Sequence, residues 1–366
     1  MTKIQNSVIP TNLSLNGIET EGTEQPFDPE EILKSVEVDP YADIAKPETA
    51  IEVHTGEKIS PSFTLGNFST VIGKAKSRKT FLLTVFLAVI IIGGWIWDFI
   101  KCVLPTGKNF ALYFDSEQSS YHLNRAIKRA IKLSGKDAIN FKAYGLRKFK
   151  PSERLALIEY AIYHTPNLGI VFIDGIRDLV TSINDEEQAT ELTSKLLKWT
   201  AELNIHIVTV LHQNKGDANA RGHLGSEAIN KGETTLSVTV DNFDKDVSIV
   251  SCEMSRDLPF ADFAFRINEE GLPEVCDLPE KSITQQRQTN PQKIDNEKHW
   301  SVLNEIYKAN PQPNHAELRD AIIYGFGDIF GQSKCRSFIA HYIQNEWIEK
   351  DRDKQKVIYK YKRAIF

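Results

Sequence analysis

The chain has 366 residues, 41% of them hydrophobic and 25% charged, a composition that fits a soluble globular protein with room for two domains. Its formal net charge of −5 excludes a uniformly basic nucleic-acid binder, but the charge is uneven. Residues 1–60 carry 4 Lys/Arg against 12 Asp/Glu, whereas residues 291–366 carry 13 against 10, so the acidity belongs to the N-terminal segment. The four cysteines (Cys102, Cys252, Cys276, Cys335) have no C-x-x-C spacing and no matching histidines. They indicate neither a disulfide framework nor a zinc site and suit a reducing cytoplasm. The N-terminus lacks the apolar core of a signal peptide.

Residues 1–60 hold Pro10, Pro26, Pro29, Pro40 and Pro47 and no sustained period. This predicts an acidic, largely disordered tail or docking arm, with one short helix in "PFDPEEILKSVEV". From 61 to 276, β-rich runs alternate with helical patterns. The strands are predicted at Phe68–Ile72, Phe110–Phe114, Gly169–Ile173, Ile205–Leu211, Leu236–Val240 and Val247–Cys252. Helical periods fill "SYHLNRAIKRAIKLS" and "EQATELTSKLLKWTAEL". The alternation predicts a mainly parallel sheet covered by helices, with the last two strands as an antiparallel extension.

Between the first strand and its helix stands Gly73-Lys74-Ala75-Lys76-Ser77-Arg78-Lys79-Thr80. It departs at one position from G-x-x-x-x-G-K-[ST], with Arg78 in place of the second glycine. In such a loop, backbone N–H groups at a helix N-terminus cradle phosphates, the Lys reaches the β/γ oxygens, and the Ser/Thr hydroxyl holds Mg²⁺. Arg78 gives up the conformational freedom of glycine; its amide can still face the phosphates and its guanidinium adds charge. The apolar run Phe81–Trp97 that follows is long enough to raise the question of a membrane span. Gly93-Gly94 interrupts it, and its place after a phosphate loop predicts a buried helix instead.

Three further strands end in polar groups. "ALYFDSEQS" brings Asp115 and Glu117, "LGIVFIDG" brings Asp174, and "IVTVLHQNK" brings His212 and Gln213. Open α/β sheets bind ligands at the C-terminal ends of their strands, so the four strand ends together predict a nucleotide site. Between Lys215 and Glu233, "KGDANARGHLGSEAINKGE" is poor in apolar residues and long for a connection, which predicts a functional or mobile loop. Its Lys215, Arg221 and Lys231 are candidates for phosphate-backbone contact; the alternative is a loop that only packs against a neighbouring subunit.

Residues 277–297 read as a polar linker. In 298–366, three helical periods precede the alternating "EKDRDKQKVIYKYK", which suggests a small winged helix-turn-helix domain. Its third helix would present Ser333, Lys334, Arg336 and Ser337 to DNA, or serve a protein contact instead.

The order of the loop, "YFDSEQ", "VFIDG", "VLHQNK" and "RGHLGSEAINKGETTLSV" resembles the RecA-like ATPase core of hexameric plasmid-replication helicases and related AAA-type ATPases of mobile elements. The resemblance covers residues from about 55 to 270 and implies ATP and Mg²⁺ as ligands. It implies that Lys79 binds phosphate, Thr80 and Asp174 hold Mg²⁺, Glu117 is the catalytic base, and Gln213 or His212 senses the γ-phosphate. Arg256 in "SCEMSRDLPF" matches the arginine that such proteins insert into a neighbour's site; the other reading is a surface cation beside Asp257. The family often has a lysine two residues before that arginine, where this chain has Met254. The implied partners are DNA, single-stranded in the channel of a ring, and further copies of the chain, as in a hexamer, without stable membrane insertion. Two other readings stand beside the motor: a nucleotide-gated DNA-binding or scaffold protein that scarcely hydrolyses ATP, and a membrane-anchored ATPase.

Overall fold

The structure is a computed structural model that describes residues 28–137, 139–213, 220, 222–242, 244–279, 290–327, 330, 332–353 and 356–362. The chain divides into two compact units, Met1–Asp277 and Leu278–Phe366.

Before the large sheet of the first unit come a short helix, α1 (Pro29–Val36), and two strands, β1 (Thr49–Thr55) and β2 (Lys58–Thr64). Asp28 caps α1 by accepting from the backbone N–H groups of Glu30 and Glu31. The strands correct the expected boundary at residue 60. Ala50, Ile51 and Val53 are fully buried, so the folded unit begins at Thr49 and the tail is shorter than its composition suggests. Residues 1–27 lie outside the described residues.

The phosphate loop joins β3 (Phe68–Gly73) to α2 (Lys79–Ile92). Helix α2 is apolar on every side and buried from Leu82 to Ile91, and it stops where Gly93 takes a left-handed φ of 63°. No helix among the described residues is long and apolar enough to cross a membrane. Beyond α2, the short strands β4 (Trp95–Ile96) and β5 (Ile100–Cys102) join β2 and β1 in a four-stranded sheet ordered β2-β1-β5-β4. That small sheet covers the helix: Phe63 packs edge-on against Phe86, and Ile51, Ile96 and Ile100 share its core.

The rest of the unit alternates β6 (Phe110–Asp115), α3 (Ser120–Ser134), β7 (Phe141–Gly145), α4 (Pro151–Tyr163), β8 (Leu168–Asp174), α5 (Glu186–Leu203), β9 (His206–His212), α6 (Gly222–Lys231) and β10 (Thr234–Val240). Three antiparallel strands follow: β11 (Val247–Ser255), β12 (Phe263–Ile267) and β13 (Pro273–Cys276). The nine-stranded sheet runs β13-β12-β11-β10-β3-β9-β8-β6-β7 and is parallel from β10 to β7. Its central strand, β3, and likewise β8, are buried at all of their positions, as strands covered on both faces require. Helices α2 and α3 lie on one face with the core of Leu82, Val208 and Phe172, while α4, α5 and α6 lie on the other with Trp199, Ile158 and Leu224.

Helix α6 corrects the loop expected over 215–233. From Gly222 the chain is helical, held by the buried Leu224 and Ala228 against the sheet despite its low apolar content. Lys215 and Arg221 lie outside the described residues.

The second unit contains α7 (Asn296–Ala309), α8 (His315–Gly325), α9 (Gln332–Gln344) and a hairpin of β14 (Ile348–Asp353) with β15 (Lys356–Tyr361). Asp295 caps α7, so the helix starts inside the expected linker. Asn314 and Glu317 form a capping box on α8. Leu303, Leu318, Phe338 and Tyr342 form its core.

Candidate nucleotide site

Parallel register brings the predicted strand ends together. Gly73 is paired with His212, and Asp115 with Asp174, across neighbouring strands. The strands β3, β9, β8 and β6 are adjacent, so all four deliver their C-terminal groups to one edge. An open cleft of about 590 Å³ lies there, lined among others by Lys76, Ser77, Lys79, Thr80, Glu117 and His212.

Lys79 is buried, and its Nζ donates to the carbonyls of Gly73 (2.8 Å) and Lys74 (3.0 Å). Burial pushes its pKa down to about 8, opposed by the carboxylates of Asp174 and Glu117. It is still predominantly protonated at pH 7. Nζ also stands 3.2 Å from Nδ1 of His212, whose Nε2 is 3.5 Å from Oε1 of Glu117. A protonated Lys79 fixes the tautomer: Nδ1 accepts and Nε2 carries the hydrogen toward the carboxylate. The His212 ring holds the Glu117 carboxyl below its ordinary pKa, against the opposing effect of burial.

The Thr80 hydroxyl donates to Asp174 Oδ2 at 2.7 Å, and the Tyr113 hydroxyl donates to the same oxygen at 3.1 Å. Burial first, and the neighbouring Asp115 second, push Asp174 up to about 6. Asp115 has a different duty. Its oxygens accept from the N–H groups of Glu117 and Gln118 and from the Gln118 side chain, so it shapes the turn that presents Glu117. Gln213 is buried, and its N–H donates to the Gly73 carbonyl at 3.1 Å, which ties β9 to the start of the loop.

Arg78 is the point of departure from the usual loop. Its backbone takes the left-handed conformation (φ 71°, ψ 28°) that a glycine would take freely. For other residues this costs roughly 1–2 kcal/mol. The guanidinium does not add charge over the loop, as the sequence suggested. Nη1 donates to Asp246 O (3.1 Å) and Ser248 Oγ (3.0 Å), and Nη2 to Lys245 O (2.9 Å). Charged donors contribute roughly 1.5–3 kcal/mol per hydrogen bond, enough together to offset the strain.

Four other candidates are not among the residues that line the cleft. Ser255 pairs with Thr234 at the start of β10, so Arg256 follows at the sheet edge away from the cleft of its own chain. It is exposed, and its Nη2 donates to Lys231 O at 2.9 Å. Lys231 closes α6 and pairs with Glu227 at 2.7 Å, one turn earlier. Lys334 and Arg336 are exposed on α9 of the second unit.

Sequence reading missed one wall of the cleft. His122, Arg125, Ala126 and Arg129 all line it from α3. Their i, i+3, i+4, i+7 spacing marks one helix face, and two arginines and a histidine gathered on that face were the available signal. The Arg129 guanidinium lies 3.6 Å from the centre of the Phe81 ring, and its Nε donates to Gly271 O at 3.1 Å.

Residues 57–218 match the family model of the AAA domain. The matched stretch takes in the phosphate loop, Glu117, Asp174 and His212. A crystal structure of the RadB recombinase is similar to the chain at a TM-score of 0.42 and 15% identity, covering 59% of this chain and 93% of that one. No curated protein matches the chain.

Proposed function

We propose that this protein is a RecA-like, ATP-hydrolysing motor of helicase type that acts on DNA during replication or mobilisation of a plasmid or transposon. The observation that carries the reading is the convergence of Lys79, Thr80, Asp174, Glu117 and His212 on one cleft at the C-terminal edge of a parallel sheet. A buried lysine, a hydroxyl donating to a buried carboxylate, and a Ser77 hydroxyl with no partner among the described residues suit a polyphosphate with a divalent cation.

Lys79 would exchange its two carbonyl contacts for β- and γ-phosphate oxygens. Thr80 and Asp174 would hold Mg²⁺, which when bound neutralises charge on those oxygens. Glu117, half-exposed at the cleft, would accept the proton of the attacking water, and its lowered pKa keeps it ionised for that task. His212 touches both Lys79 and Glu117 and is placed to sense whether phosphate has drawn Lys79 away. Arg256, turned from its own cleft, would serve the site of an adjoining copy in a ring. Lys215, Arg221 and Lys231 would face DNA in the channel. The second unit, with its three helices and hairpin, would act as a winged helix with Lys334 and Arg336 on the DNA-facing helix.

One observation favours a second reading, a nucleotide-gated scaffold with little turnover: Arg78 is tied to a neighbouring turn where a freely moving glycine is usual. DNA-stimulated ATP turnover separates the two. Turnover that rises with single-stranded DNA supports the motor, and binding of ATP without turnover supports the scaffold.

A further inference from the structure

Arg78 commits its whole side chain to one neighbour, the turn between β10 and β11, 167 to 170 residues further along the chain. That turn is closed by its own hydrogen bonds. Asp241 N donates to Val247 O (3.0 Å), Val247 N to Asp244 O (3.1 Å), and Asp244 N to Asp241 Oδ1 (2.8 Å). The carbonyls of Lys245 and Asp246 are thereby left for the guanidinium, and the Asp246 carboxylate stands 3.9 Å from Nη2. The same hairpin touches the other end of the loop. A Cβ on Gly73 would lie 2.5 Å from the Val238 carbonyl of β10, so strand and loop meet backbone to backbone. Sterics hold the first residue of the loop and hydrogen bonds hold the sixth.

We propose that Arg78 is a positioning residue that holds the phosphate loop in its left-handed turn and makes the β10–β11 hairpin a working part of the nucleotide site. This rests on the reading of the cleft as a nucleotide site. Glycine at position 78 would reach the same backbone angles, but it would leave them as easily, so a loop with glycine is less preorganised here. Strand β11 then runs from Ser248 at the clamp to Ser255 at the far edge, just before Arg256. Nucleotide bound to the loop therefore stiffens a strand that ends beside Arg256.

The test uses the full-length protein, a non-hydrolysable ATP analogue with Mg²⁺, and amide hydrogen exchange over residues 241–248. In the wild type, the analogue should slow exchange in that turn. Arg78→Gly should bind the analogue about tenfold more weakly and lose the added protection. Arg78→Lys, which keeps a charge but not the fork, should recover part of both. Ser248→Ala should weaken binding by about twofold, and adding it to Arg78→Gly should weaken binding no further. Equal or tighter binding by Arg78→Gly overturns the proposal. So does weaker binding with the turn still protected, because Arg78 would then act on the nucleotide through its charge alone. A wild type that binds no analogue overturns the nucleotide reading and this proposal with it. A wild type that binds while Lys79→Ala does not, with Arg78→Gly unaffected, leaves the nucleotide reading standing and removes only this inference.

Discussion

Nζ of Lys79, at the start of α2, and Nδ1 of His212, at the end of β9, stand 3.2 Å apart, and the far nitrogen of the same ring faces Glu117. One imidazole thus touches the group proposed to bind phosphate and the group proposed to activate water. A ligand that pulls on Lys79 changes the hydrogen bonding of His212, and through it that of Glu117.

Lys79→Ala should bind ATP about 10- to 100-fold more weakly, the worth of one or two charge-assisted hydrogen bonds. Its two carbonyl partners belong to the loop itself, so the fold should survive. Titration with a fluorescent ATP analogue, alongside circular dichroism, measures both. Undiminished affinity would remove Lys79 from the site.

Arg256→Ala and Glu117→Gln should each lower turnover by roughly 10³-fold if the arginine acts in trans and the carboxylate as base. Neither should empty the pocket, because Lys79, Thr80 and Asp174 remain. Mixing the two variants should restore a fraction of the turnover, since an intact Glu117 then borders an intact Arg256 at some interfaces. Absence of any recovery, under conditions where subunits exchange, rules out a shared site.

His206 gives a pH dependence that can be tested apart from activity. Its ring is wholly buried and stacked on Phe63, Nδ1 donates to the Thr64 carbonyl at 2.7 Å, and Nε2 has no partner among the described residues. Burial pushes its pKa down to about 3. Between pH 6.5 and 3 the unfolded chain takes up a proton that the folded chain refuses, so stability falls as pH is lowered through the unfolded value. At pH 5 the loss is about 2 kcal/mol relative to neutral pH. Glu233, 3.8 Å away, has its pKa raised by burial and works in the opposite sense. His206→Gln retains a donor for Thr64 and abolishes the titration, so urea midpoints of variant and wild type should diverge below pH 6.5. Parallel curves would show that the ring titrates freely.

Gly169 should not tolerate a methyl group. A Cβ there would lie 1.7 Å from the Lys108 carbonyl, at the point where the chain before β6 crosses β8. Gly169→Ala forces β8 and the segment before β6 apart, and the cost should reach or exceed the upper part of the roughly 1–3 kcal/mol typical of overpacking. A thermal midpoint unchanged from wild type would contradict the close approach.

Six of the nine strands of the large sheet were legible, four of them as short apolar runs ending in polar groups that parallel pairing places side by side, whereas β7, β12 and β13 were not. The end of α2 was legible because Gly93-Gly94 interrupts an otherwise unbroken run. The small sheet was not. Strand β4 has two residues and β5 three, too few to show a period, and β1 lies in a segment whose charge pointed to disorder. Helix α6 was hidden by its glycines and polar residues, since it is anchored by few apolar side chains, Leu224, Ala228 and the partly buried Ile229. The direction of the Arg78 side chain depends on a partner far along the chain, and nothing near position 78 announces it. Glu117 and Asp174 were read as candidates from their strand ends, while Arg125 and Arg129, which line the same cleft, were passed over inside an ordinary helical period.

The placement of α2 bears on how the chain folds. This helix is exposed to aggregation while it is bare, because it has little polar side to turn outward. Part of its cover comes from β1 and β2, within about 45 residues of its end, and from β4 and β5 directly after it, so those contacts close shorter loops than the pairing of β10 with β3. The large sheet, by contrast, must wait for Thr235 to find Thr70 before β10 can join β3. Early, local burial of α2 therefore shelters the chain during its slowest search.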